Sequence, residues 1–483
     1  MTTERNIRNR KAYRFDNLAD IDRLEIIAND PVLHLAAASL PQIGMVTKPS
    51  ATSTTGMLVL GAATIIFGGD DRATAELRAH WPQVRRILID AGIPAPATPL
   101  YAKHFQDFRD KFLVNSGGVA AANDMLRDLT RTAAIGQARD IGLLDAHEWN
   151  PDENSWFDVP RERVIMADGT WFEEQANVVR PTTVVKRGRY RIVRRTRSKS
   201  GEPRTSLGVD TQGKSTGYEH VVVAVRGGKR HQAILLDVVR AHRGSEMKAL
   251  MPALSRLHEV FADTPLGFVY DGAMRGVHHH KIRSKFGLLS VNKAHGFDGA
   301  RYRDMLNTPL PAGAKSFGLH FHTEDGQRCR HELTFAAGMM YGVEDVDGVP
   351  TRVRIVDHTD ARRRTVGDSF EWSLDLAVFC AHHNTMEHLT IDPNVSINGE
   401  AQCESLRMVP PNLNHFGRIY GYRNAAESTM NYLKYTIMRT GRARSMTAER
   451  HEFDLRIATI IANALAWAEH GTDRYLSVPG RAA

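Results

Sequence analysis

The chain has 483 residues and a mass of 53.9 kDa, enough for two to four domains each with its own core. A formal charge of +8 and a pI near 9.4, with arginine well ahead of lysine, favour a polyanionic partner, nucleic acid before an acidic membrane surface. Cys329, Cys380 and Cys403 lack CxxC spacing and exclude a disulfide scaffold, the start has no apolar signal core, and the most apolar run, Met57 to Phe67, is too short to span a bilayer; a cytoplasmic protein is expected.

In chain order, residues 1–155 read as an all-helical domain and a possible reader of DNA, with no clear helix-turn-helix; its mixed charge fits a plain packing module equally well. Helices are predicted around Ala19–Ile27, Pro31–Ala38, Ala102–Val114 and Val119–Ala134. Another follows Asp70 and Asp71, with Leu77, Trp81, Val84 and Leu88 on one face and prolines 94, 96 and 99 beyond its end.

The pattern changes at Val164-Ile-Met-Ala-Asp168-Gly, a short apolar run closed by an aspartate and a glycine, as in a buried strand that ends in a functional loop. The most basic segment follows, with Lys186, Arg187, Arg189, Arg191, Arg194 and Arg195 and almost no acid in opposition; an edge strand or hairpin that meets phosphates is expected there. Asp210 also closes a strand-like run, Ser206–Val209, and competes with Asp168, but its surroundings are polar and rich in turn residues. Tyr218–Val225 and His231–Val239, joined by Gly227-Gly228, predict a hairpin. A helix from Glu246 to Phe261 comes next, then a strand, Leu266–Tyr270, closed by Asp271-Gly272. The helical crossover makes that strand parallel to a sheet neighbour.

His278-His279-His280 is read as a polar loop after this strand, with metal or DNA contact the lesser reading. From 301 to 410 the chain is rich in β-branched and aromatic residues and reads as a β-rich insertion. His320, His322, Cys329 and His331, with Cys380 and His382, have the chemistry of a zinc site in a spacing that matches no standard knuckle. Trp372 reads as a core residue, the alternative being a platform for a flipped base.

After Pro410-Pro411 a helix is predicted over YGYRNAAESTMNYLK, residues 420–434. At 100° per residue, Tyr420, Arg423, Glu427 and Lys434 fall at about 0°, 300°, 340° and 320°, a single stripe opposite the apolar face of Tyr422, Ala426, Met430, Leu433 and Ile437. A carboxylate framed by an arginine, a lysine and a phenol suits a site for metal and phosphate together, although charged stripes are common on solvated helices. Asp168 and Asp271 close two strands, and Glu427 on a helix packed over that edge adds a third carboxylate. Such a cluster makes sense at neutral pH mainly around divalent cations, Mg²⁺ first and Mn²⁺ as a substitute.

The stripe resembles the YREK signature of the insertion sequence 4 group of DDE transposases, and ADGTW, VYDGAM and the YREK helix occur in the order of the family's triad. The resemblance implies a multidomain α/β protein: a ribonuclease H-like mixed sheet flanked by helices (156–300 and 411–445), interrupted by the β-rich insertion, with the helical domain before it and a C-terminal helix and tail (446–483). It further implies two Mg²⁺ ions on Asp168, Asp271 and Glu427, DNA backbone contacts from Tyr420, Arg423 and Lys434, and metal-dependent cleavage and strand transfer at the ends of a mobile element. The expected partner is double-stranded DNA, both terminal inverted repeats and target, bound by a homodimer at the bacterial nucleoid. A DNA-binding descendant without catalysis, or an endonuclease without strand transfer, is the alternative.

Overall fold

The structure is a computed structural model that describes residues 18–43, 52–145, 149–150, 153–173, 182–186, 189–193, 202–203, 216–229, 232–241, 246–261, 265–294, 304–311, 316–322, 328–380, 382–394, 396–397, 400–401, 405–445 and 447–470. The described part before residue 145 is helical: α1 (Asp20–Ala28), α2 (Pro31–Ser39), α3 (Thr54–Ile66), α4 (Asp70–Ala79), α5 (Trp81–Asp90), α6 (Ala102–Asp107), which runs on as a π-helical turn over Phe108–Leu113, and α7 (Val119–Asp140). The run read as too short for a bilayer is α3, buried at every position but Thr55, a helix apolar all round because protein surrounds it. The single helix expected from Asp70 through Leu88 is two. Pro82 has no N–H to give to the turn before it and its ring crowds that turn, so the chain breaks at His80 and restarts at Trp81. Leu77, Trp81, Val84 and Leu88 are nevertheless all buried.

A mixed sheet follows. Its strands are β1 (Val164–Glu173), β4 (Glu202–Pro203), β5 (Thr216–Arg226), β6 (Ala233–Ala241), β7 (Gly267–Val269) and β8 (Leu289–Val291), while β2 (Thr182–Lys186) and β3 (Arg189–Val193) form a separate hairpin. The order across the sheet is β6-β5-β1-β7-β8, with short β4 also on β5. The expected hairpin is β5–β6, antiparallel. Helix α8 (Glu246–Phe261) then carries the chain over to β7, parallel to β1, and α9 (Gly276–Phe286) carries it to β8, parallel to β7.

Alternation along β1 sends Met166 and Phe172 to one face and Ile165 and Ala167 to the other, and each face has its own apolar cluster. On the first lie α1 to α5, the helix α11 (Arg423–Asn431) and the long α12 (Ala448–His470), which follow α10 (Asn414–Gly421); on the second lie α8, α9 and the end of α7. The stretch read as a helical domain therefore shares its core with the sheet and with α12. Between β8 and α10, β9 (Thr308–Pro309) to β13 (Val349–Ile355) form a five-stranded sheet in the order β10-β11-β12-β13-β9. Within it β10 is Phe317–His322, β11 Arg328–Ala336 and β12 Met339–Val346. A three-stranded sheet of β14 (Asp357–Val366), β15 (Ser369–Cys380) and β16 (Thr385–Ile391) completes the expected β-rich region. Trp372 is a core residue: it is buried edge-on against Trp156, and its indole N–H donates to Arg283 O at 3.1 Å.

One buried ion group ties α7 and α12 to the sheet. Asp237, 3 % exposed in the middle of β6, accepts from Arg131 of α7 at 3.2 Å and from Arg456 of α12 at 3.4 Å. Burial lowers Arg456 to about 10 against the opposing pull of Asp237. Removing the carboxylate leaves two guanidinium groups facing each other in the core. Asp237→Asn is expected to cost about 3–5 kcal/mol in urea denaturation, whereas Asp158→Asn, which loses an exposed pair with Arg418, should cost under about 1 kcal/mol.

Candidate active site

The parallel register decides where the acids meet. β1 and β7 pair at Val164–Gly267, Ile165–Phe268 and Met166–Val269, and β7 and β8 end their pairing at Val269–Val291. Asp168, Asp271 and Lys293 each lie two residues beyond these last partners, so two acids and a lysine stand in a row where the parallel pairing of the three strands ends. The strand expected to end at Asp168 continues to Glu173, because β5 pairs with it throughout, Asp168 opposite Val222; only the β7 side falls open after Met166. Asp168 is nonetheless 7 % exposed. Its Oδ1 accepts from Gly169 N at 2.9 Å and its Oδ2 faces Arg423 Nη2 at 3.3 Å.

Arg423 belongs to the YREK segment, which departs from the single helix expected. α10 starts earlier, at Asn414, the chain breaks at Tyr422 after Gly421, and α11 passes into a π-helical turn over Tyr432–Ile437. The apolar face holds: Ala426, Met430, Leu433 and Ile437 are buried and Tyr422 is half-buried. On the stripe, Arg423 Nη1 pairs with Glu427 at 2.9 Å, and the same guanidinium reaches Asp168, so one cation joins the first and third acids. Tyr420 stacks on Phe416, with the Lys293 ammonium 5.4 Å from its ring centre. Lys434 donates to Trp171 O at 2.7 Å and caps the Phe172 ring, fastening the π turn to β1.

Burial pushes Asp168 up from 3.8 to about 6; Arg423 opposes this, and the charges of Asp271 and Glu427 add to it. A fourth carboxylate, which the sequence reading passed over, stands on the other face of the strand. Glu246, the first residue of α8, lies so close to Gly169 that a β-carbon there would come within 2.2 Å of its Oε1. It accepts from the Tyr270 hydroxyl at 2.5 Å. Burial raises Glu246 to about 7, partly offset by the Tyr270 bond, with Asp271, Glu219 and Asp168 raising it further. Its sequence signal was an acid opening the crossover helix beside a glycine in the strand.

The loop after β7 is clamped from beneath. Asn292 donates from Nδ2 to Asp271 O at 3.0 Å and to Met274 O at 2.7 Å, while its Oδ1 lies 2.8 Å from both Arg407 Nε and His279 Nε2. His278–His280, expected in a polar loop, are in α9, which runs from Gly276 to the left-handed Gly287. His279 is fully enclosed and burial holds it well below the usual histidine range, so the neutral ring serves the clamp.

Of the basic segment, Lys186 stands directly across the β2–β3 hairpin from Arg189, with Arg191 two residues on; Arg187, Arg194, Arg195 and the competitor Asp210 lie outside the described residues. No protein-family model matches the chain, and no curated protein matches it either.

Both raised carboxyls hold their protons more tightly in the folded state than in the unfolded one. Their contribution to stability is therefore complete below about pH 4 and is lost as pH rises through 6 to 7. For Asp168, the displacement is worth up to about 3 kcal/mol. Without divalent cations, Asp168→Asn should melt several degrees above wild type at pH 8, and the gap should shrink towards pH 4 in scanning calorimetry; a gap independent of pH would rule out a strained carboxylate.

Proposed function

We propose that the chain is a DNA transposase that uses divalent cations to cut the ends of a mobile element and join them to target DNA. The observation that carries this reading is the row of Asp168 and Asp271 at equal register on adjacent parallel strands, with Glu427 joined to Asp168 through Arg423. The strand–hairpin–helix–strand order of the sheet, with a β-rich region between the second and third acids, agrees with the ribonuclease H-like core that the resemblance implies.

The donor set suits a hard cation. It consists of carboxylate oxygens, with no sulfur or imidazole among these three ligands, and Asp168 carries an electrostatic strain that a cation relieves. Asp168, Asp271 and Glu427 would hold Mg²⁺, which when bound activates water or a 3′-hydroxyl for in-line attack and steadies the leaving oxygen. The remaining work falls to the chain itself. The Asn292 clamp fixes the Asp271 backbone, and Lys434 holds the helix on β1. Tyr420, raised by burial, remains a neutral O–H donor for a phosphate oxygen. Lys293 and Arg423 supply positive charge beside it, and the basic sequence of the β2–β3 hairpin suits further phosphate contacts.

The test is a supercoiled plasmid carrying candidate terminal repeats, incubated with Mg²⁺. A transposase cuts and joins, a nuclease only cuts, and a binding protein only shifts the DNA. Glu427→Gln should bind DNA as wild type does and lose cleavage by at least about 100-fold, since the amide keeps the shape and loses the charge. Asp168→Asn should behave likewise, and Asp210→Asn should keep most activity. Cleavage by Glu427→Gln near the wild-type rate would remove the assignment.

A further inference from the structure

The β-rich region holds a cluster of softer ligands that plays no part in the proposed reaction. Cys329 lies on β11, in the five-stranded sheet; Cys380 is the last residue of β15, in the other sheet; His383 is in the turn between β15 and β16. His383 Nδ1 lies 3.2 Å from Cys329 Sγ and 3.4 Å from Cys380 Sγ, and a ligand atom from each of the three residues lies within 4.8 Å of the other two. Two thiolates and an imidazole bound tetrahedrally to zinc, at about 2.3 Å for sulfur and 2.0–2.1 Å for nitrogen, are themselves about 3.5–3.8 Å apart. The three groups thus already stand near the spacing that such an ion imposes. Hydrogen bonding alone does not need three soft ligands brought from separate elements to one point.

We propose that Cys329, Cys380 and His383 bind a zinc ion that fastens the two sheets of the β-rich region to each other. His331, two residues from Cys329 on the same face of β11, stands outside this group of three. Of the residues grouped in the sequence, His382 was named with Cys380; the ring that turns in to both sulfurs is its neighbour, His383. The side chains of His320 and His322 lie outside the described residues. Two thiolates and a histidine select zinc over the Mg²⁺ proposed for the carboxylates, so the two sites sort their metals by ligand softness.

The experiment uses the full chain without a histidine tag, purified with reductant, washed with excess Mg²⁺ and analysed for bound metal by mass spectrometry. One zinc per chain is expected, retained by Asp168→Asn, which separates this site from the carboxylates. Cobalt replacement should give a sulfur-to-metal charge-transfer band that weakens in Cys329→Ser and in Cys380→Ser. His383→Ala should weaken zinc binding by more than the roughly 100-fold that loss of an outer-shell partner can cost. If Cys380→Ser fails to fold, thiol titration of the wild type decides: two thiols should become reactive only when a chelator removes the metal. Zinc-free protein with freely reactive thiols, a Cys329–Cys380 disulfide in its place, or zinc kept by the Cys329→Ser/Cys380→Ser double variant would each overturn the proposal.

Discussion

Carboxylates gathered at one sheet edge repel one another, and in this protein the charge that holds them together is a guanidinium. Arg423 reaches Asp168 with one nitrogen and Glu427 with another, so the strand and the helix meet at a shared cation. Neither partner is fully screened: Asp168 is nearly enclosed, while half of the Glu427 side chain is open. Burial still outweighs Arg423 in setting the state of Asp168. The site is thus closed by one shared ion pair, and the surrounding structure holds its frame. Lys434 pins the π turn to Trp171, the backbone of residues 441–443 bonds to Glu173 at the end of β1, and Asn292 holds the loop of Asp271.

Much of that frame was legible in the sequence because its signals are local. A strand, a glycine-linked hairpin, a helix of period 3.6 and a second strand can be read one after another, and the crossover rule then makes β7 parallel to β1. The acids followed, since each closes a run of apolar residues. The edges of these readings failed where tertiary contacts decide. β1 runs past Asp168 because β5, fifty residues on, continues to pair with it. Helix α4 stops at His80 because Pro82 overrides a good apolar stripe.

Glu246 was hidden for a different reason. An acid at a helix start is ordinary, and only the fold brings it against Gly169 beside the row of Asp168, Asp271 and Lys293. The histidines show the same limit. In both His278-His279-His280 and His382-His383, the working residue is chosen by which neighbour turns inward, to Asn292 in one case and to two sulfurs in the other. Composition identified each cluster, and only packing could identify the member.

The anchoring of Asp237 by Arg131 and Arg456 has a consequence for how the protein is made. A ribosome releases β6 and α7 more than two hundred residues before α12, so in the growing chain Asp237, on the outermost strand β6, has one of its two arginines. Domains ordinarily fold as they emerge. Here α12 packs on the face that α1 to α5 and α11 share, and a nascent chain stalled before Arg456 exposes the apolar residues that α12 would cover. Asp168, Asp271 and Glu427 all precede α12 in the chain, so the helix that packs on this face of the sheet is made after the acids.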